Sequence, residues 1–430
     1  MTTPAGSRSV RRMTLLAPLH ERDFALLWTG MTVSLLGDGI YFVAIAWQVY
    51  ALSNAPTALS VVGVAWTLPT VLFLLLGGAF SDRLERRRLL LISSLVEAVA
   101  IGLIGVLAVT GALQLWMLLV LVAVYGAGEA FFMPAFEAIV PTLISDEHFT
   151  AASALSQFVR PLAVQLLGPA LGGVLVALTG AGPAFLVDAG TFAVSVAMVL
   201  AMRRVPSSAP RAARGVRSAL REIADGFAFV RANPWLWGTL MGASLSLLAF
   251  YGPFSVLLPY LVKNRLHGGG ATFGAIRAAS GVGAILGALA VARTGLPRRF
   301  IMFMFAAWAG QGAMLIGFAV ATGAWTFALI SLLSGVLGAT ANVVWGTLMM
   351  TLVPNELRGR VSSFDWTVSI GLIPLSFAIT GPIAQALGAE TTLIGAGVLA
   401  AVLMLAFVFV PGVRDPERRS ARGQERRLNV

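Results

Sequence analysis

Long uninterrupted apolar runs decide what this chain can fold into. They fall at roughly 24–50, 59–80, 88–110, 115–141, 151–178, 183–202, 236–262, 270–292, 299–321, 324–350, 361–387 and 390–411. A helix rising 1.5 Å per residue needs about 20 residues to cross roughly 30 Å of bilayer hydrocarbon, and every run is that long. Inside hydrocarbon each backbone N–H and C=O must find its partner within the segment, so runs of this kind are helices. Composition agrees. Of 430 residues, 58% are hydrophobic and 11% charged, roughly half the charge of a water-soluble domain. The expected fold is an all-α membrane protein with twelve transmembrane helices.

An even number of crossings puts both termini on one side, and the basic residues say which. Of 30 Arg and Lys, 26 fall before the first run, after the last, or in connections on that same side. Lys263 and Arg265 lie opposite, while Arg160 and Arg277 fall inside runs. Positive residues stay cytoplasmic, so both termini are expected in the cytoplasm. The stretch "MTTPAGSRSVRRMTLLAPLHERD" is basic and has no small-residue cleavage site, so it reads as a cytoplasmic tail. A ratio of 29 Arg to one Lys points to a GC-rich bacterial genome and hence to the bacterial cytoplasmic membrane. The net charge of +11 is a topology signal that also attracts anionic lipid, and it calls for no nucleic-acid partner. Cysteine is absent, and His20, His148 and His267 are far apart, so neither disulfide nor metal site is expected.

The longest connection, rich in Arg, Pro, Ser and Ala, divides the chain into six helices and six. The expected segments are a tail at 1–23, a six-helix bundle at 24–202, a linker at 203–235, a second bundle at 236–411 and a tail at 412–430. The halves repeat. "VP" at 140–141 recurs at 353–354, and the basic turn "RLERRRLL" at 83–90 meets "GLPRRFIM" at 295–302. The offsets, 213 and 212 residues, agree. Six spans per repeat imply two pseudo-symmetric bundles related by an axis along the membrane normal.

"GGAFSDRLERRRLL" (77–90) resembles the major facilitator signature GxxxDRxGRR, with Gly78, Asp82, Arg83, Arg86 and Arg87 matching and Glu85 in place of a glycine. The resemblance implies that Asp82 is a latch between the halves, seated at the N-terminus of helix 11, whose partial positive charge suits a carboxylate. The second-half echo keeps Arg298 and Arg299 but has Thr294 opposite Asp82, so the latch would be one-sided. "LLGPALGGVL" (166–175) resembles the GPxxGG motif of family antiporters, through Gly168, Pro169, Gly172 and Gly173. Such residues also serve ordinary close packing between membrane helices. "SLLGDGIYFVAIAWQVY" (34–50), "PAFEAIVPTL" (134–143) and "VPNELRGRVSS" (353–363) resemble the bacterial branch of macrolide and multidrug efflux pumps and the enterobactin exporter.

Ionisable residues at membrane depth are costly and usually line the interior of a bundle. Glu129 lies about 18 Å from the cytoplasmic end of helix 4, and Arg160 about 15 Å into helix 5 from the same face. Their level invites a pair, either structural or proton-switched. Asp38, between two glycines of helix 1, shares the expected cavity with Glu129; a local helix break is the competing reading of "GDG". Glu137 lies near the cytoplasmic rim. Asp365 reads as a carboxylate at the start of helix 11, suited to the helix dipole. Glu97 on helix 3 ranks lower as peripheral, and Asp188 and Arg277 are unassigned. Phe250, Tyr251, Phe254, Trp345 and Met349 are candidates for the substrate-cavity wall of the second half, with ordinary core packing as the alternative reading. Apolar walls with a few acids suit lipophilic cations or weakly polar amphiphiles.

The resemblance therefore implies a secondary active transporter rather than an enzyme. It would export drug-, macrolide- or siderophore-like amphiphiles by proton antiport, as a monomer, with no cofactor and with Asp38, Glu129, Arg160 and Glu137 as coupling candidates. Uptake or facilitated movement of a nutrient or lipid-like substrate is the alternative.

Overall fold

The computed structural model describes residues 16–81, 85–203 and 226–419. Twelve helices there are long and apolar enough to cross a membrane. The first six are α1 (Arg22–Leu52), α2 (Pro56–Ser81), α3 (Arg86–Val109), α4 (Leu115–Ile139), α5 (Ala151–Thr179) and α6 (Ala181–Ala201). The second six are α7 (Pro234–Asn264), α8 (Gly270–Thr294), α9 (Phe300–Val320), α10 (Ala324–Leu352), α11 (Asn355–Leu387) and α12 (Ala389–Val408). Most of both expected tails and of the linker, together with Asp82 and Arg83, lies outside the described residues.

The packing repeats with the sequence. In the first half α1 packs on α5 and α6, α3 on α4 and α6, and α2 on α4. Adding six to each label gives the main contacts of the second half: α7 with α11 and α12, α9 with α10 and α12, and α8 with α10. The halves meet chiefly along α2 with α11 and α5 with α8, two seams that the same operation exchanges. The turns repeat as well. Gly180 joins α5 to α6 at φ +86°, and Gly388 joins α11 to α12 at φ +84°. A single residue reverses the chain there only in a conformation that suits glycine.

Two spans are broken. α5 runs as α-helix to Pro161, loosens into a π segment at Leu162–Leu167, and resumes at Gly168. The Gly-Pro pair of the sequence motif lies just after this segment. Pro169 then sits in the first turn of the resumed helix, where its missing N–H costs little. α11 begins at Asn355, six residues before the expected start, and is interrupted at Leu372. Its polar opening, "NELRGR", reads as a loop but is helical.

Call the end that carries both termini the terminal face, and the other the far face. Toward the far face one buried apolar cluster draws from both halves, with Val43, Val49 and Phe185 beside Val256, Leu257 and Phe377. Polar bonds reinforce it: Tyr50 donates to the Val256 carbonyl (2.7 Å), Lys263 donates to the Tyr50 carbonyl, and Asn54 donates to Asn264 (2.8 Å). Toward the terminal face the apolar clusters separate. One draws only on the first half, around Leu27, Phe136 and Val199, and another only on the second, around Trp235, Val344 and Val408. Among the described residues the halves are thus joined at the far face and separate at the terminal face.

Candidate functional site: a central cavity between the halves

The cleft between the halves widens into a cavity of about 750 Å³. Asp38 reaches it from α1, and its flanking glycines explain how. A Cβ on Gly37 would stand 2.2 Å from Asp188 Oδ1 of α6, and one on Gly39 would stand 2.7 Å from Gly168 Cα of α5. The glycines press α1 against two neighbours, which leaves Asp38 to face the cavity. "GDG" breaks nothing, since α1 is continuous through it. Tyr125 of α4 donates to Asp38 Oδ1 at 3.0 Å.

Glu129 follows Tyr125 by one helical turn and lines the same wall. Gly126 lets α4 lie against α2, where a Cβ would meet the Trp66 carbonyl at 2.2 Å, and Thr70 donates to the Gly126 carbonyl at 3.0 Å. That crossing brings the Trp66 indole N–H to Glu129 Oε2 at 2.8 Å. Arg160 also lines the cavity but is not paired with Glu129. Its guanidinium reaches the Met133 sulfur at 3.4 Å, and the ion pairs of the described residues lie elsewhere. Glu137 is exposed, near the terminal end of α4 and outside the cavity lining.

Behind this wall lies a second row of acids. Asp188 (0% exposed) abuts Gly37, and Glu97 (3% exposed) abuts Gly128, whose Cβ would stand 3.0 Å from Glu97 Cγ. Each glycine immediately precedes a cavity-facing acid. One oxygen of each rear carboxyl, Asp188 Oδ2 and Glu97 Oε2, has no hydrogen-bond partner among the described residues. Glu97 is therefore interior, packed behind Glu129, and not peripheral.

The second half supplies Phe250, Tyr251 and Phe254 of α7 and Trp345 of α10 to the lining. Met349 does not join them. One turn beyond Trp345 its side chain is buried in the second half's own apolar cluster. Asp365 also departs from expectation. Because α11 starts at Asn355, Asp365 is in the third turn, not the first, and its carboxylate faces the cavity. It accepts from Trp345 Nε1 (3.0 Å) and Ser369 Oγ (3.1 Å). Each half thus presents a carboxylate held by an indole.

Over residues 13–427 the sequence matches the transmembrane secretion effector family. The chain belongs to this family of the major facilitator superfamily. Curated relatives span nearly its whole length. It is 29% identical over 409 residues to multidrug efflux pump Tap of Mycolicibacterium fortuitum, covering 93% of this chain and 97% of that one. It is 22% identical over 378 residues to macrolide efflux protein A of Streptococcus pyogenes, covering 87% and 93%. Among solved structures it resembles a POT family transporter in complex with a thioalcohol-conjugated peptide, at 13% identity and a TM-score of 0.70. That match covers 93% of this chain and 100% of the other. The last likeness is one of fold.

Two motifs of this major facilitator chain can be read against its structure. In the loop signature, Gly78 lies in the closing turns of α2. Arg86 donates to the Ala138 carbonyl (2.5 Å), and Arg87 to those of Val199 (3.1 Å) and Leu200 (3.0 Å). These arginines satisfy carbonyls at the C-terminal ends of α4 and α6, where cations also suit the helix dipole. In the helix-5 motif the glycines divide their work. Gly168 and Gly172 press on Gly39 and Ile40 of α1, inside the first half, whereas Gly173 presses on Gly270 and Gly274 of α8, across the seam. Pro169 joins that seam through its carbonyl, 2.4 Å from a Cβ built on Gly274.

Proposed function

We propose that this protein exports small amphipathic compounds in exchange for protons, by alternating access. The observation that carries the reading is the central cavity. It is sealed at the far face, sized for a drug-like molecule, and lined by Asp38 and Glu129 of the first half opposite Phe250, Tyr251 and Phe254 of the second. Nearly full-length relatedness to a multidrug and a macrolide efflux protein supports the outward direction. With both termini cytoplasmic, as the arginine asymmetry favours, the sealed side is the outside and the cavity is reached from within the bacterial cell.

In this mechanism substrate enters from the cytoplasm or inner leaflet and lies between the halves. The halves then rock about the α2–α11 and α5–α8 seams, with Asp82 latching the cytoplasmic side. Protons arriving from outside neutralise Asp38 and Glu129 and release the load. Such binding can drive the cycle only if the two states hold protons with different affinity. The protein works as a monomer, with no cofactor, on the proton gradient alone.

Everted membrane vesicles test this directly. A fluorescent amphiphile should accumulate inside them when a proton gradient is imposed, and accumulation should collapse with a protonophore. Asp38→Asn and Glu129→Gln should each cut that accumulation. Accumulation without a gradient would refute coupling, and accumulation in right-side-out vesicles would indicate uptake.

A further inference from the structure

Arg277 is the one charged group of the cavity wall for which the protein supplies no counterpart among the described residues. Each cavity carboxylate accepts at least one hydrogen bond: Asp38 from Tyr125, Glu129 from Trp66, Asp365 from Trp345 and Ser369. Arginines at the helix ends donate to carbonyls, as Arg86 does to Ala138 and Arg265 to Ala319. Arg160 has the Met133 sulfur. Arg277 makes none of these contacts. Among the described residues its neighbours are the face of Phe254, with the guanidinium carbon 5.1 Å from the ring centroid, and the neutral phenol of Tyr251, and no carboxylate pairs with it.

The position is built. On α8, Gly274 and Gly281 flank Arg277 by about one turn on either side, and both press against α5: a Cβ on Gly281 would stand 2.5 Å from the Gln165 carbonyl. Arg277 shares that face of α8, at the edge of the contact with α5, and lines the cavity there. Phe254 stacks on Phe250 at 5.2 Å and 16°, which makes a flat apolar platform beside the charge. A guanidinium is permanently charged and suited to planar oxyanions. An aromatic face steadies it but leaves its N–H groups unfilled.

We infer that Arg277 recognises an acidic group on the transported compound, a carboxylate or like oxyanion attached to an apolar body that lies on Phe250 and Phe254. The inference rests on the export reading above and names its substrate class. It revises the expectation of lipophilic cations: the preferred cargo is acidic or zwitterionic, with any cationic end directed to Asp38 and Glu129 across the cavity.

Rhodamine B and its methyl ester differ only in the acidic group and make a matched pair of probes. Purified protein in nanodiscs should bind the acid more tightly than the ester by fluorescence anisotropy. Arg277→Gln should weaken binding of the acid by about tenfold or more, as expected for a lost charge-assisted hydrogen bond, and leave the ester unchanged. Arg277→Lys should keep part of the preference. Unchanged ester binding shows in the same experiment that the variant is folded. Equal binding of both dyes by the native protein, or an equal loss of both in Arg277→Gln, overturns the inference and leaves export intact. If neither dye binds, although the vesicles export other amphiphiles, the inference falls alone; if nothing is exported, the function reading falls with it.

Discussion

Trp66 fixes the carboxylate of Glu129, so its removal separates positioning from the proposed proton carriage. Trp66→Phe keeps an aromatic ring at the α2–α4 crossing but deletes the 2.8 Å donor. Loss of a hydrogen bond to a charged group is worth on the order of 1.5–3 kcal/mol. Gradient-driven efflux should therefore fall about tenfold or more, while protein abundance holds. In a Glu129→Gln background the same change should have little further effect, because the two act as one unit; additive losses would refute the pairing. A second expectation concerns Met349. Truncation to Ala should lower the thermal midpoint, by about 2–5 kcal/mol of stability as for other core methionines, without altering dye preference, since Met349 is in the core and not the cavity. At this scale the sequence was partly legible. Asp38 and Glu129 stood out because charge is rare in apolar runs, and the structure puts both on the cavity wall. Trp66 and Tyr125 did not stand out, since an aromatic in such a run signals burial and its partner lies on another helix. Asp365 was misread because its depth depends on where α11 begins.

Helices here are placed by glycine contacts, and the contacts fall into two kinds. A Cβ on Gly168 would stand 2.6 Å from Gly39 Cα, a backbone contact inside the first half. A Cβ on Gly173 would stand 2.9 Å from the Gly270 carbonyl and Gly274 Cα, across the seam between halves. Gly168→Ala should reduce thermal stability, since overpacking costs about 1–3 kcal/mol and backbone cannot swing aside. Gly173→Ala should chiefly slow transport, because it obstructs a seam that shifts in each cycle of the proposed rocking. Paired melting curves and efflux rates check this, and normal transport by Gly173→Ala would contradict it. The glycine spacing announced close packing on α5, but nothing in it told which helix each glycine would meet. The π segment at Leu162–Leu167 was equally silent, because its residues are as apolar as any helix interior. The start of α11 was hidden by the opposite cause: charged residues that end a span can still be helical beyond it.

Across the whole molecule the two-fold plan was the most legible feature. The repeat offsets and the arginine asymmetry rest on long-range regularities that no single side chain can disturb. What they could not disclose is which face is closed, since that depends on contacts between distant segments such as Tyr50 with Val256. Those contacts can be trapped. The chain has no native cysteine, so Asn54→Cys with Asn264→Cys offers one reactive pair where the two side chains already touch at 2.8 Å. A short bifunctional thiol reagent should join them and stop efflux, and a cleavable reagent should restore it on reduction; continued efflux by the joined protein would refute rocking about this end. The closed face also makes the cycle sensitive to temperature. Its seal is an apolar core shared by both halves, whereas toward the terminal face each half keeps its own. Apolar cohesion carries a heat-capacity signature and weakens on cooling. Chilled protein should therefore open its far face more often, and a single cysteine at Asn54 should react faster, relative to an always-exposed control, as the membrane is cooled.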